Sequence, residues 1–194
     1  MAFANQISLD RMVNAVEKVR QRLLRATGAL RAAGIDYAVA GGNAVAAWVS
    51  TVDEEGVRNT ADVDILVRRM DFLGVKDALE KAGFHYRHVA GLDVFLDTPK
   101  LPARGGVHIL FANEKVKPEE PVANPDVSQS SDAPHFRVLQ LEALVQIKLT
   151  AFRDKDRTHL RDLIDVGLID QTWPARFPPQ LGARLQSLLD SPGG

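Results

Sequence analysis

Apolar residues recur at three- and four-residue steps from Leu9 through Met12, Val13, Val16, Val19 and Leu23 to Leu30. That spacing predicts an amphipathic helix, capped by Ser8, relaxed at Gly28 and stopped at Gly34. The short apolar run Tyr37-Ala38-Val39-Ala40 then reads as a buried strand entering Gly41-Gly42, with a helix from Asn43 to Val49. A polar loop from Ser50 to Asn59 leads to Asp62-Val63-Asp64-Ile65-Leu66-Val67, a strand with acids at alternate positions. Asp71 is the expected N-cap of a short helix through Phe72, Val75 and Leu79 to Gly83. Three further strands are predicted at 84–89, 92–97 and 107–112. Between Asn113 and Pro134, four prolines mixed with Glu, Ser and Asp suggest a long surface excursion and a boundary. The tail reads as three helices, on Leu141 to Leu149, Leu160 to Leu168 and Leu181 to Leu189. The expected division is 1–135, a mixed sheet with its flanking helices, and 136–194, a helical lobe packed on it.

Composition narrows the options without choosing among them. At 194 residues, 45% hydrophobic and 25% charged, the chain can bury one sizeable core, which excludes disorder, collagen and coiled coil. A net charge of −1 provides no general basic field for nucleic acid or membrane. Without cysteine there is no disulfide, thiolate nucleophile or Cys-zinc site. The apolar runs are too short for a membrane span, and the start around Asn5, Asp10 and Arg11 lacks a signal-peptide core, so the expected location is cytoplasmic.

Residues two apart on a strand share a face, so Asp62 and Asp64 set two carboxylates side by side. Hard oxygen ligands this close suit Mg²⁺, which takes one or two protein carboxylates and completes its shell with water and phosphate. Gly41-Gly42 opens a helix with bare backbone N–H groups and no Cβ, a surface suited to phosphate. Alone, an Asp-x-Asp is usually a solvated strand face, and a Gly-Gly usually a tight turn. Their succession within one strand-turn-helix-loop-strand unit is much less common.

In that combination the chain resembles the nucleotidyltransferase superfamily of DNA polymerase β-like enzymes. Tyr37 to Ala46 is similar to the family's strand, Gly-Gly and helix, and Arg58-Asn59-Thr60-Ala61-Asp62-Val63-Asp64-Ile65-Leu66 to its Arg-x-Thr-x-Asp-h-Asp-h-h strand. Lys148-Leu149-Thr150-Ala151-Phe152-Arg153-Asp154-Lys155-Asp156, followed by Asp162-Leu163, looks like the helix region of the small bacterial AbiEii-like nucleotidyltransferases, often encoded as toxins. The likeness spans roughly residues 35 to 170. It implies an α/β (α+β) fold, a mixed sheet flanked by helices with a C-terminal helical lobe. It also implies transfer of an NMP from an NTP to an acceptor, an RNA end, a protein or a small molecule, with Mg²⁺ or Mn²⁺. Asp62 and Asp64 inherit the metal and catalytic roles; Gly41, Gly42 and Asn43 the phosphate end of the helix; Arg58 and Thr60 the positioning of the strand; Lys148 the neutralisation of triphosphate charge. An antitoxin-like partner protein is a further implication.

Two departures stand out. Residues 43 to 61 separate the Gly-Gly from the first acid, a longer interval than is common in the family, and include the acidic loop Thr51 to Gly56. Where many members carry a third acid, Val107-His108-Ile109-Leu110-Phe111 places His108, either a base for the acceptor or the mark of a degenerate site that binds nucleotide as a regulatory module. Asp93 is the other candidate for the third acid. His85, His88, His135 and His159 read as structural or surface residues, and Trp48 and Trp173 as core or lobe contacts. A metal-dependent glycosyltransferase would also use Asp-x-Asp, but leaves the Gly-Gly unit and Lys148 unexplained. No G-x-S-x-G supports serine catalysis.

Overall fold

A computed structural model describes residues 8–100, 102 and 104–191; Asn5, in the N-terminal stretch read for a signal peptide, lies outside them. Six helices, α1 (Leu9–Ala32), α2 (Gly41–Val49), α3 (Phe72–Lys81), α4 (Leu141–Ala151), α5 (Asp154–Asp165) and α6 (Pro179–Leu189), surround one sheet. Its strands are β1 (Tyr37–Ala40), β2 (Val63–Val67), β3 (His85–Val89), β4 (Leu92–Leu96), β5 (Val107–Phe111), β6 (Ser130–Asp132) and β7 (Arg137–Leu139), in the order β3-β4-β5-β2-β1-β7-β6.

The sequence explains this order by burial. β1 is buried at all four positions and β2 at all but Asp64, as strands covered on both faces must be, and they lie at the centre as an antiparallel pair. The edges go to β3, whose His85, Tyr86, Arg87 and His88 tolerate water, and to the three-residue β6 with Ser130, Ser131 and Asp132. Short or charged edges offer little template for pairing with another chain. The sheet is mixed because β2 runs parallel to β5, and β1 parallel to β7. The core gathers Leu30, Tyr37, Ile65, Leu66, Phe95, Leu139, Leu144 and Leu163, all nearly or fully excluded from water.

Helices α1 and α3 pack together, while α2 meets α4 and α5, which also meet α6. The Trp48 indole N–H donates to the Leu139 carbonyl at 2.9 Å and so ties α2 to β7.

Several expectations change. The excursion from Asn113 to Pro134 closes with β6, and β7 follows it; the segment after 135 thus contributes a strand beside β1. Strands of three residues are too short for alternation to register. Helix α2 begins at Gly41 rather than Asn43, and Asp62 precedes β2 rather than lying in it. Neither Ser8 nor Asp71 makes a side-chain cap hydrogen bond, and a 3₁₀ turn at Arg69–Asp71 precedes α3. Helix α1 runs unbroken through Gly28, where an added Cβ would meet nothing within 4 Å. Gly28→Ala is therefore expected to stabilise the protein by about 0.5–1 kcal/mol by removing backbone freedom from the unfolded chain, measured by chemical denaturation.

Candidate active site

The end of β1 sets the geometry. Gly41 has φ +63°, and a Cβ there would lie 1.8 Å from Asp64 Oδ2. Only glycine lets the backbone turn left-handed and pass directly beneath the carboxylate. A Cβ on Gly42 would come within 2.9 Å of the Thr60 side chain, so the second glycine admits the loop that delivers β2. The two glycines and the two-acid strand thus meet at one point, because antiparallel pairing sets Ala40 opposite Asp64.

Asp62 is held by neighbours from distant segments. The Asn43 amide donates to the Asp62 carbonyl at 2.8 Å, and the Gly105 N–H donates to Asp62 Oδ1 at 2.7 Å. With Oδ1 engaged by a backbone donor, Oδ2 is the oxygen left for a further ligand. Arg58 donates through Nε to Asp162 Oδ1 at 2.8 Å and fastens the loop to α5. Thr60 Oγ1 lies 3.5 Å from the Asp62 carbonyl, a long contact.

His108 stands in register with Asp64 on the adjacent parallel strand, its Nδ1 3.6 Å from Asp64 Oδ1. Both side chains are about four-fifths buried, at 19% and 21% exposure. Burial pushes the Asp64 pKa up, but the hydrogen bond and charge of His108, with the charges of Lys148 and Lys155, outweigh it and hold the carboxyl below its ordinary value. Asp64 is consequently an anion at neutral pH.

Asp93 pairs with Ile109, one position out of phase with His108, and so lies on the opposite face of the sheet. There it accepts from the Tyr86 hydroxyl at 2.7 Å and meets His88 Nδ1 at 2.9 Å. It is committed to a cross-strand contact and does not join Asp62 and Asp64.

Lys148 is buried, and its Nζ donates to Asp156 Oδ1 at 3.0 Å. Asp156, 1% exposed, also accepts from the Arg153 backbone N–H at 3.2 Å and from Arg153 Nε at 2.7 Å, and so caps α5. Phe152, left-handed at φ 47°, makes the corner between α4 and α5. The ammonium therefore acts on Asp64 through its field while its nearest partner is Asp156. Sequence reading missed Asp156 as that partner, and missed Gly105 altogether; Arg153-x-x-Asp156 matches the spacing of an N-terminal capping pair and could have signalled the first.

The donor set suits a divalent cation: Asp64, ionised by its surroundings and seated directly on the Gly41 backbone, and Asp62 two residues before it with one carboxylate oxygen on the Gly105 N–H. Among the described residues no three His, Asp or Glu side chains gather closely enough to hold an ion by themselves. An ion bound here would take the rest of its shell from water and substrate oxygens, as Mg²⁺ commonly does.

No protein-family model and no curated protein matches the chain. Among solved structures it is similar to the antibiotic-resistance factor ANT(2'')-Ia, with TM-score 0.51 and 12% identity over 94% of this chain and 92% of that one. It is also similar to JHP933 from Helicobacter pylori, with TM-score 0.51 and 16% identity over 94% of this chain and 75% of that one. The fold is thus nucleotidyltransferase-like, and at these identities the likeness extends to the fold alone. Among the described residues no helix is long and apolar enough to cross a membrane.

Two predictions follow from this geometry. Gly41→Ala forces a left-handed Ala and displaces Asp64; it is expected to cost more than about 1 kcal/mol in chemical denaturation and to remove divalent-ion binding in a calorimetric titration. His159 on α5 has its pKa lowered from 6.5 to about 4, first by burial and then by the charge of Lys148. The unfolded chain takes up this proton near pH 6.5 and the folded one only near 4, so stability falls as pH drops through that window. Asp156, its pKa lowered by Arg153 and Lys148 against the effect of burial, adds its loss only below about 3.8. His159→Gln is expected to flatten the upper window alone in denaturation curves measured from pH 7 to pH 3.

Proposed function

We propose that the chain is a metal-dependent nucleotidyltransferase, of the small AbiEii-like kind, that moves an NMP from an NTP to an acceptor hydroxyl on an RNA end, a protein or a small molecule. The observation that carries this reading is the seat of Asp64 on Gly41 with His108 in register beside it. Backbone turn, carboxylate and imidazole converge on one point, where phosphate, cation and acceptor have complementary partners.

Asp62 and Asp64 would hold Mg²⁺ or Mn²⁺, which when bound offsets the charge of the triphosphate and of the developing transition state. The glycines at 41 and 42 let Asp64 and Thr60 pack against the start of α2, and that helix start would favour the negative charge of the phosphates. Asn43 steadies Asp62, Thr60 packs against Gly42, and Arg58 steadies the loop that carries the acid. Lys148 adds positive potential from behind the site. The acceptor oxygen forms a bond to the α-phosphorus, and the bond from that phosphorus to the bridging oxygen of the β-phosphate breaks. Pyrophosphate leaves with that electron pair, and the acceptor proton passes to His108.

A second reading rests on His108 itself, since an imidazole brings no fixed negative charge where a third carboxylate would. In that reading the chain binds nucleotide as a regulatory module.

The test is pyrophosphate release with each NTP and Mg²⁺ or Mn²⁺ across RNA, protein and small-molecule acceptors. Asp62→Ala combined with Asp64→Ala is expected to abolish metal-dependent NTP binding with the fold retained, because neither side chain belongs to the apolar core. His108→Ala is expected to cost about 10²-fold in rate. His108→Asp gaining turnover over an inert wild type would instead establish the binding-module reading. Unchanged Mg·NTP affinity in the double variant would remove the site assignment altogether.

A further inference from the structure

Arg22 is a buried arginine in the middle of α1, 8% exposed, far in sequence from the acids. Burying a guanidinium is costly unless its charge is balanced and its donors are used. Asp97, just past the end of β4, supplies the charge: its Oδ2 accepts from Arg22 Nε at 3.0 Å and from Nη2 at 2.5 Å. Arg25, one turn on, also bonds Asp97 and lies 4.0 Å over the Phe84 ring, which fixes the carboxylate from its other side. The remaining arm of the fork, Nη1, donates to the Ala61 carbonyl at 3.2 Å.

Ala61 is the residue before Asp62. Its carbonyl belongs to the peptide plane that leads into the acid, and the Asn43 amide holds the next carbonyl along, that of Asp62 itself. Gly105, left-handed at φ +81°, lies against the same spot: a Cβ there would be 3.9 Å from the Ala61 oxygen, and its N–H holds Asp62 Oδ1. Asp62 precedes β2 and lacks the full strand ladder that fixes Asp64. Its orientation depends on these separate hydrogen bonds.

We propose that Arg22 is a positioning residue for the Asp62 carboxylate: pinned by Asp97, it holds the Ala61 carbonyl and so presents Asp62 Oδ2 to a divalent cation while Oδ1 stays on Gly105. The inference rests on the proposed role of Asp62 as a cation ligand. Lysine cannot replace the arginine, because a single ammonium lacks the planar fork that spans a carboxylate and a carbonyl.

The first measurement uses the metal-free protein. Amide hydrogen exchange at Gly105 is expected to quicken about tenfold in Arg22→Met, in Arg22→Lys and in Asp97→Asn, while the amides of Val39 and Ile65 stay unchanged. The second is Mn²⁺ titration followed by electron paramagnetic resonance, with a non-hydrolysable ATP analogue present. Arg22→Met is expected to weaken Mn²⁺ about tenfold in the natural background and to add nothing in an Asp62→Asn background, while still costing about tenfold in Asp64→Asn.

A purely structural arginine would loosen Val39 and Ile65 as much as Gly105 and would weaken Mn²⁺ in all three backgrounds; that result overturns the proposal, as does an Arg22→Met variant that leaves both readouts unmoved. If Arg22→Met does not fold, Asp97→Asn, which keeps the side-chain shape, decides between the same outcomes. Wild-type protein that binds no Mn²⁺, while Gly105 still responds selectively to Arg22, would overturn the proposed function and leave the positioning of Asp62 standing.

Discussion

The contact between the Gly41 backbone and the Asp64 carboxylate is the constraint on which the rest of the site depends. A methyl group at Gly41 would lie 1.8 Å from Asp64 Oδ2, so the position can be occupied by nothing larger than hydrogen. The approach is this close because β1 and β2 are antiparallel neighbours, with Ala40 opposite Asp64, and the chain must turn away from the sheet within one residue. The left-handed φ of Gly41 makes that turn and starts α2. Under the proposed function, a phosphate near the start of α2 would come beside a carboxylate, an arrangement that repels unless a cation lies between them. The need for a cation in that reading would then follow from the strand pairing.

How the carboxylate stays charged is a separate matter. Asp64 is largely buried, and burial alone would favour its neutral form. His108 in register, and Lys148 and Lys155 from the tail, reverse that preference. Lys148 works from a distance, with its ammonium on Asp156, and Asp156 is fixed in turn by capping α5 and by Arg153. Removing Asp156 would leave the buried Lys148 ammonium without its partner, at a cost of about 3–5 kcal/mol. The tail motif therefore builds a rigid corner whose positive end lies within electrostatic reach of the site.

Much of this was legible in the sequence, because the informative signals are local. A buried run ending in Gly-Gly, acids at alternate positions and a third strand with a polar residue at its second position each fit within a few residues. Of these, β1 and β2 are consecutive strands that pair directly. The register of β5 against β2, which places His108 beside Asp64, depends on pairing across more than forty residues, and the separate register of β4 against β5 sends Asp93 to the other face; no local pattern encodes either. Strands β6 and β7 escaped because three residues carry no measurable period, and their pairing is set by β1, already fixed in the sheet. Arg22 and Asp97 escaped for a related reason: a charged residue on the predicted helix reads as solvated until the fold brings a carboxylate to it.

The departure at His108 then takes on a specific electrostatic meaning. Three carboxylates around one point would carry three negative charges, and cations would have to balance both these and the triphosphate. Here the fixed acids are Asp62 and Asp64, and the third place is held by a side chain that helps keep Asp64 ionised. The local field is less negative by a full charge, while Lys148 and Lys155 remain within reach of Asp64. In the proposed function a site so balanced would accept a triphosphate with less need of a second divalent ion, because part of that ion's work, lowering the negative charge around the acceptor and the phosphate, would already be done by replacing an acid with an imidazole. The same exchange places an imidazole next to an ionised carboxylate, the pairing that orients the ring and stabilises its protonated form. An imidazole in the third position would thus let the proposed reaction pass the acceptor's proton to the ring rather than to a metal-assisted carboxylate.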